Sequence, residues 1–203
     1  QTGRAWVPTS PAMPHLSTAT VYPGMCLLEG TNVSGYDGCR VGRANGICPP
    51  TPLSFEICGA PWIDGHTLAT HLNTLALPGV RFRPMVFHTP RGYSPSTPCQ
   101  GVQLHVTDRE RFRPVSVGVH LLAALRDLYP DTFRWREHVI EDEHRDAPGA
   151  RLHIDLLCGT DNVRRALDAG TPASDIIATW VSGLQQFSED IRSYYLGSAS
   201  GLY

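Results

Sequence analysis

Glu29-Gly30-Thr31-Asn32-Val33-Ser34 is the densest group of chemically able side chains in the sequence. It stands at the end of an apolar run, Val21-Tyr22-Pro23-Gly24-Met25-Cys26-Leu27-Leu28. A carboxylate can serve as acid, base or hydrogen-bond acceptor, and Asn, Ser and Thr offer donors and acceptors together. Gly lets the backbone approach a neighbour closely. Such a tip suits a site that grips a polyhydroxylated ligand. It is equally compatible with an Asx-type turn closing a helix.

Three further groups could do chemistry. Gly42-Arg43-Ala44, with Phe55-Glu56 and Gly59-Ala60-Pro61-Trp62, combines a guanidinium able to clamp a carboxylate with an indole able to stack on a sugar face. The alternative is a surface Arg and a core Trp. His105-x-x-Asp108 could form a dyad only at a strand end or bend, because His105 and Thr107 share one strand face and Asp108 takes the other; a buried strand His and a turn Asp is the simpler reading. The histidines form neither HxH nor HExxH, so a metal site has little support. No G-x-G-x-x-G, P-loop or G-x-S-x-G is present, and no cofactor is implied.

These residues need a scaffold. The first 16 residues carry Pro8, Pro11 and Pro14 and read as an extended segment, the middle of a protein rather than its natural start. Residues 17–29 read as a short helical or mixed element stopped at Gly30. Residues 35–54 are a long loop rich in Gly and Pro. A short strand is predicted over 55–62, a helix capped by Asp64 over 64–77, and strands over 80–87 and 102–107. An amphipathic helix follows over 116–129 and a short strand over 132–135. Residues 137–149 are a charged, exposed loop, and 152–157 could be helix or strand. A short helix from Thr160 to Ala169 and a long one from Pro172 or Ala173 to about Tyr195 complete the chain. Strands and helices without regular βαβ phasing indicate a mixed α/β or α+β fold, a short mixed sheet flanked by helices.

Composition narrows the partners. The chain has 203 residues and a net charge of −2, so it has no basic footprint for nucleic acid. No apolar run reaches the length of about 18 residues that a membrane span needs. All 17 basic residues are Arg. The six cysteines contain no CxxC pair, and Cys39 with Cys48, bracketing a Gly-rich loop, are the first candidates for a disulfide. Asn32-Val33-Ser34 matches a glycosylation sequon, although at a ligand-binding tip it reads as unmodified.

Trp6-Val7-Pro8-x-Ser10-Pro11-x-Met13-Pro14, Tyr22-Pro23-Gly24 and Glu29-Gly30-Thr31-Asn32-Val33-Ser34 together resemble the bacterial peptidoglycan exo-β-N-acetylmuramidases, glycoside hydrolase family 171, formerly a domain of unknown function. The likeness continues through Phe55-Glu56, Gly59-Ala60-Pro61-Trp62-Ile63-Asp64, Leu77-Pro78-Gly79-Val80, His105-Val106-Thr107-Asp108, Asp155, Gly159-Thr160 and Arg164-x-Ala166. It covers nearly all of the chain. The resemblance implies removal of terminal N-acetylmuramic acid from cell-wall fragments, outside the cell or in its envelope. It also implies a Rossmann-like N-terminal domain, absent here, which carries the main catalytic Glu in a Glu-His-Gly motif. Residues 1–16 would be the end of that domain or its linker, and 17–203 the C-terminal α/β domain.

By this resemblance Glu29 is the catalytic or hydroxyl-binding carboxylate in this chain. Thr31, Asn32, Ser34, Arg43 and Trp62 are the substrate-binding candidates, Arg43 for the lactyl carboxylate. The family's short Gly-Arg-Gly-Thr corresponds to Gly42-Arg43-Ala44-Asn45, set in a much longer segment, 35–54. The alternative is a non-catalytic binding or assembly module that self-associates through the long loop and the aromatic tail Tyr194, Tyr195 and Tyr203.

Overall fold

The Asp64 side chain accepts a hydrogen bond of 2.7 Å from the Thr67 backbone N–H, and a helix starts where that cap requires it. In the computed structural model, which describes residues 7–10, 13–33, 53–88, 97–136 and 152–194, this helix is one of a series. The elements run α1 (Leu16–Met25), a 3-10 turn (Cys26–Gly30), β1 (Ile57–Ala60), α2 (Gly65–Thr74), β2 (Val80–Phe87), β3 (Cys99–Val106) and α3 (Pro114–Leu128). They continue with α4 (His153–Cys158), α5 (Asn162–Asp168), α6 (Ala173–Ala178), α7 (Val181–Ile191) and a final 3-10 turn, Arg192–Tyr194.

The mixed α/β architecture expected from the sequence is present. The three strands lie in the order β1-β3-β2, antiparallel throughout, with Ile57 opposite Gln103 and Phe82 opposite Leu104. Strand periodicity decides which side is covered. Val80, Phe82, Val102 and Leu104 are buried, and they join Leu68, Ala69 and Leu72 of α2 in the main core. Arg81 and Arg83 point the other way and are exposed. A smaller apolar cluster, Ile57, Phe87 and Cys99, lies apart from the main core.

Helix α3 is the central post, with Leu121, Leu122 and Leu125 fully buried. It begins two residues before the expected start because Pro114 occupies the first turn, where its missing N–H costs nothing. Helix α1 crosses α3 at Gly24 and Gly118. A Cβ on Gly24 would stand 1.9 Å from the Pro114 carbonyl oxygen, so the crossing requires a residue without a side chain.

The ambiguous 152–157 segment is helical, and the expected strand over 132–135 is a single bridge between Thr31 and Trp135. The C-terminal run is helical over most of 173–194, but Thr179 and Trp180 divide it. The Thr179 hydroxyl donates to the Ile176 carbonyl at 2.7 Å, and the Thr179 and Trp180 backbone N–H groups reach back only three residues. A hydroxyl that takes a helical carbonyl tightens the turn in this way.

Candidate functional site

The apolar run leading to Glu29 is α1 and its 3-10 extension. Pro23 sits inside α1 and lacks the N–H of a regular helical bond, and from Cys26 the coil narrows to 3-10 geometry. Val21, Met25, Leu27 and Leu28 anchor this run in the core. Glu29 is therefore delivered on a short, well-anchored turn.

After Gly30 the chain becomes extended, and its polar residues have structural work. The buried Thr31 hydroxyl donates to the Leu28 carbonyl at 2.8 Å and accepts from the Val33 N–H at 3.2 Å. The Asn32 side-chain amide donates to the Thr132 carbonyl at 2.8 Å and accepts from the Arg134 N–H at 3.0 Å. The Asn32 N–H donates to the Arg134 carbonyl at 3.1 Å, and the Arg136 N–H donates to the Gly30 carbonyl at 2.8 Å. Thus 31–33 and 132–136 form a small antiparallel clasp, in which Asn32 behaves as an extra length of backbone.

Gly30 serves the packing of α4. A Cβ there would lie 2.6 Å from the Ile154 Cβ and 2.8 Å from its Cα, so α4 rests directly on the tip. This close seat brings the His153 Nε2 to 3.7 Å from the Glu29 Oε2. The Arg136 guanidinium also arrives here, with Nη1 3.4 Å from the Glu29 carbonyl oxygen. Glu29 keeps 32% of its side-chain surface exposed and His153 keeps 23%, so both are partly open to solvent.

A second network fixes the two flanks. Arg164 grips the nearly buried Asp155 carboxylate in a bidentate fashion, Nε at 2.8 Å and Nη2 at 3.0 Å. That carboxylate raises the Arg164 guanidinium above its ordinary pKa. The Nη1 of Arg164 reaches Asp168 at 3.5 Å, and Asp168 accepts from the Trp135 indole N–H at 2.7 Å. Asp155 lies on α4 with His153, and Trp135 lies on the clasp beside Arg136. One arginine therefore holds both elements that face Glu29.

Cys26 and Cys158, both free thiols, line an apolar cavity of about 300 Å³ with Leu27, Val119, Val163 and Trp180. Burial pushes both thiols up to about 11, with the negative charge of Glu29 adding to the effect at Cys26 and that of Asp155 at Cys158. Tyr22 stacks edge-on to Phe55 at 4.8 Å, and burial, then Cys26 and Glu29, raise its phenol.

The structure brings Glu29, Thr31 and Asn32 together, while Ser34, Arg43 and the Cys39–Cys48 candidate pair lie outside the described residues. Trp62 stands at the entry to α2, half-buried and edge-on to Tyr129 at 5.5 Å. Glu56 is buried and accepts from the Ser17 hydroxyl at 2.8 Å and the Thr18 hydroxyl at 2.7 Å, so it closes the N-terminal turn of α1. Asp108 accepts the backbone N–H groups of Glu110 and Arg111 and is the turn residue of the simpler reading, whereas His105, expected to be buried, lies on β3 exposed to solvent. Among the described residues no group of three His, Cys, Asp or Glu is placed to hold a metal. His153 and Arg136 were not legible as site residues, since they meet Glu29 from more than 100 positions away and belong to no local motif.

The architecture agrees with three comparisons. The model of the C-terminal region of exo-β-N-acetylmuramidase NamZ matches residues 20–196. The chain belongs to the NamZ C-terminal family. Within it, the chain is 35% identical over 187 residues to the peptidoglycan β-N-acetylmuramidase NamZ of Bacillus subtilis strain 168, a match that covers 92% of this chain. A crystal structure of a DUF1343 family protein from Bacteroides fragilis NCTC 9343 superposes with a TM-score of 0.70 at 26% identity, over 97% of this chain and 46% of that one. The chain spans 39% of the length of the B. subtilis relative. The tip, its clasp, α4 and the Asp155–Arg164 pair all lie within the family match.

Proposed function

We propose that this chain is the C-terminal part of an exo-acting β-N-acetylmuramidase-like glycoside hydrolase, which removes terminal N-acetylmuramic acid from peptidoglycan fragments, with the Glu29 tip as its saccharide-binding edge. The observation that carries the reading is a half-exposed Glu29 carboxylate on a rigidly clasped turn, inside a family match of nearly full length. In this reading residues 1–16 lead from a Rossmann-like domain and 17–203 are the C-terminal domain. In the same reading the protein acts in the cell envelope or outside the cell.

Glycoside cleavage uses an acid and a second group that supports an oxocarbenium-like transition state. Glu29 acts as acid/base or as an acceptor for sugar hydroxyls, with His153 steadying its charge. Asn32 and Ser34, with Thr31 shaping the turn, hold the acetamido or hydroxyl groups. Arg43 holds the lactyl carboxylate, and Trp62 stacks on a sugar face. The main acid comes from the other domain. The expected result is that the purified chain does not turn over a chromogenic muramic acid glycoside, yet binds N-acetylmuramic acid. Robust turnover would show that the acid lies within this chain, and absence of binding by the chain would overturn the saccharide edge.

The exposed face of α7 favours a second reading, a non-catalytic binding or assembly module. Val181, Leu184 and Phe187 are more than half exposed, and no residue of α7 is buried. Sedimentation separates the two: concentration-dependent self-association that Leu184→Ser abolishes, without any sugar binding, would favour the module.

A further inference from the structure

Two observations fix how the 3-10 turn and α4 lie together. At one end, Gly30 of the turn seats against Ile154 of α4, so closely that a Cβ on Gly30 would stand 2.6 Å from the Ile154 Cβ. At the other end, Cys26 and Leu27 of the turn and Leu157 and Cys158 of α4 line one cavity of about 300 Å³. The two segments therefore run side by side in opposite directions. Four residues of 3-10 helix advance about 8 Å and four of α-helix about 6 Å. Counted from the Gly30–Ile154 contact, Cys26 and Cys158 thus come to nearly the same level.

The four described cysteines fall into two kinds. Cys58 and Cys99 are fully buried. Cys58 sits beside Val102 on the main-core side of the sheet, and Cys99 lies with Ile57 and Phe87 on the other side, so the sheet keeps these two thiols apart. Cys26 and Cys158 are half-buried and share a cavity wall. The Cys26 thiol donates to the Pro23 carbonyl at 3.4 Å. Burial, then Glu29 and also Cys158 raise it, so the charge of Cys158 reaches Cys26 across the cavity.

We propose that Cys26 and Cys158 form a modification site, a dithiol that an external disulfide oxidises to a reversible bond stapling the Glu29 turn to the far end of α4. One cysteine thiolate attacks a sulfur of the external disulfide and releases one thiolate. The other cysteine thiolate then attacks the mixed disulfide and releases the second. The pair loses two protons and two electrons, and the external disulfide gains both and leaves as two thiols. The new bond closes a loop of about 130 residues and so restricts the unfolded chain. In the folded chain it holds the turn at Cys26, while the Ile154 contact holds it at Gly30. The site is independent of what the Glu29 edge binds.

The test treats the native chain, reduced and then freed of reductant, with oxidised glutathione, and maps its cysteine peptides by mass spectrometry. The expected product is one cross-link, Cys26 to Cys158, cleaved by dithiothreitol, with Cys58 and Cys99 still thiols. Its rate should rise about tenfold per pH unit between about pH 7 and pH 9, because the attacking species is the thiolate and both thiols titrate higher. The oxidised chain should melt about 10 °C above the reduced one, the scale of a loop this long in a chain of this size. Cys26→Ser and Cys158→Ser should each abolish that gain. Should a serine variant fail to fold, the wild-type peptide map decides alone. Cys26 and Cys158 left as thiols, capped separately by glutathione or joined to other cysteines overturn the site, as does a cross-linked chain that melts below the reduced one.

Discussion

Helix α4 carries two side-chain contacts to carboxylates or guanidinium, at His153 and Asp155, and they are built in opposite ways. Asp155 is 2% exposed and is held bidentately by Arg164 at 2.8 and 3.0 Å. Glu29 and His153 are partly exposed, and the Glu29 Oε2 stands 3.7 Å from the His153 Nε2. A buried carboxylate without a partner would be very costly, so the first contact must be complete for the fold to stand. A solvent-facing pair at 3.7 Å contributes little to stability. The fold therefore places its close charged geometry at Asp155 and keeps the Glu29 side chain partly exposed.

Breaking the first contact should have the largest effect. Arg164→Met strands the Asp155 carboxylate in the interior and should lower unfolding stability by about 3–5 kcal/mol in urea denaturation. A loss below about 1 kcal/mol would dissolve the contrast between the two pairs. Next comes Gly30→Ala. Its Cβ would collide with Ile154, so α4 must shift, and the expected cost is about 1–3 kcal/mol, with the His153 NMR signals displaced even in the folded protein. Unchanged His153 signals would show that α4 is not seated by Gly30.

A smaller effect is expected at alkaline pH. Cys26 and Cys158 are held near 11 in the folded chain, above the value of about 8.5 for an unfolded thiol. Between those values the unfolded state has released its thiol protons and the folded state has not. The unfolded chain binds fewer protons, so stability should fall as pH rises from about 8.5 towards 11. Alanine at both positions should reduce that slope, leaving the share owed to the buried Cys58 thiol and the raised Tyr22 and Tyr129 phenols, and an undiminished slope would assign it elsewhere. The smallest effect on folding belongs to Glu29→Gln, expected to lie within about 0.5 kcal/mol of the wild type. A loss of several kcal/mol would make Glu29 a structural carboxylate like Asp155.

The sequence was legible where the controlling interaction is local. Asp64 announces α2 through one side-chain cap, Val80 and Phe82 announce the buried side of β2 by alternation, and the Glu29 tip stands out by polarity alone. It was opaque where the interaction is distant. Asn32 stands out in the sequence as a ligand residue, and only the fold shows that its amide also bonds Thr132 and Arg134, a hundred positions on. Gly30 looks like room for a ligand, whereas its immediate occupant is Ile154. The break at Thr179 turns on one hydroxyl–carbonyl bond, which an apolar stripe running through it does not reveal. His153 and Arg136 become site residues only because α4 and the clasp close around the tip.

The most direct test is titration of N-acetylmuramic acid into the wild-type chain and into Glu29→Gln, each with its thermal midpoint measured alongside. The expected result is binding to the wild type, a loss of about tenfold or more in Glu29→Gln, and midpoints that coincide. Equal affinity in the two proteins, or a collapse of the Glu29→Gln midpoint, would contradict the assignment of Glu29 to ligand rather than to fold.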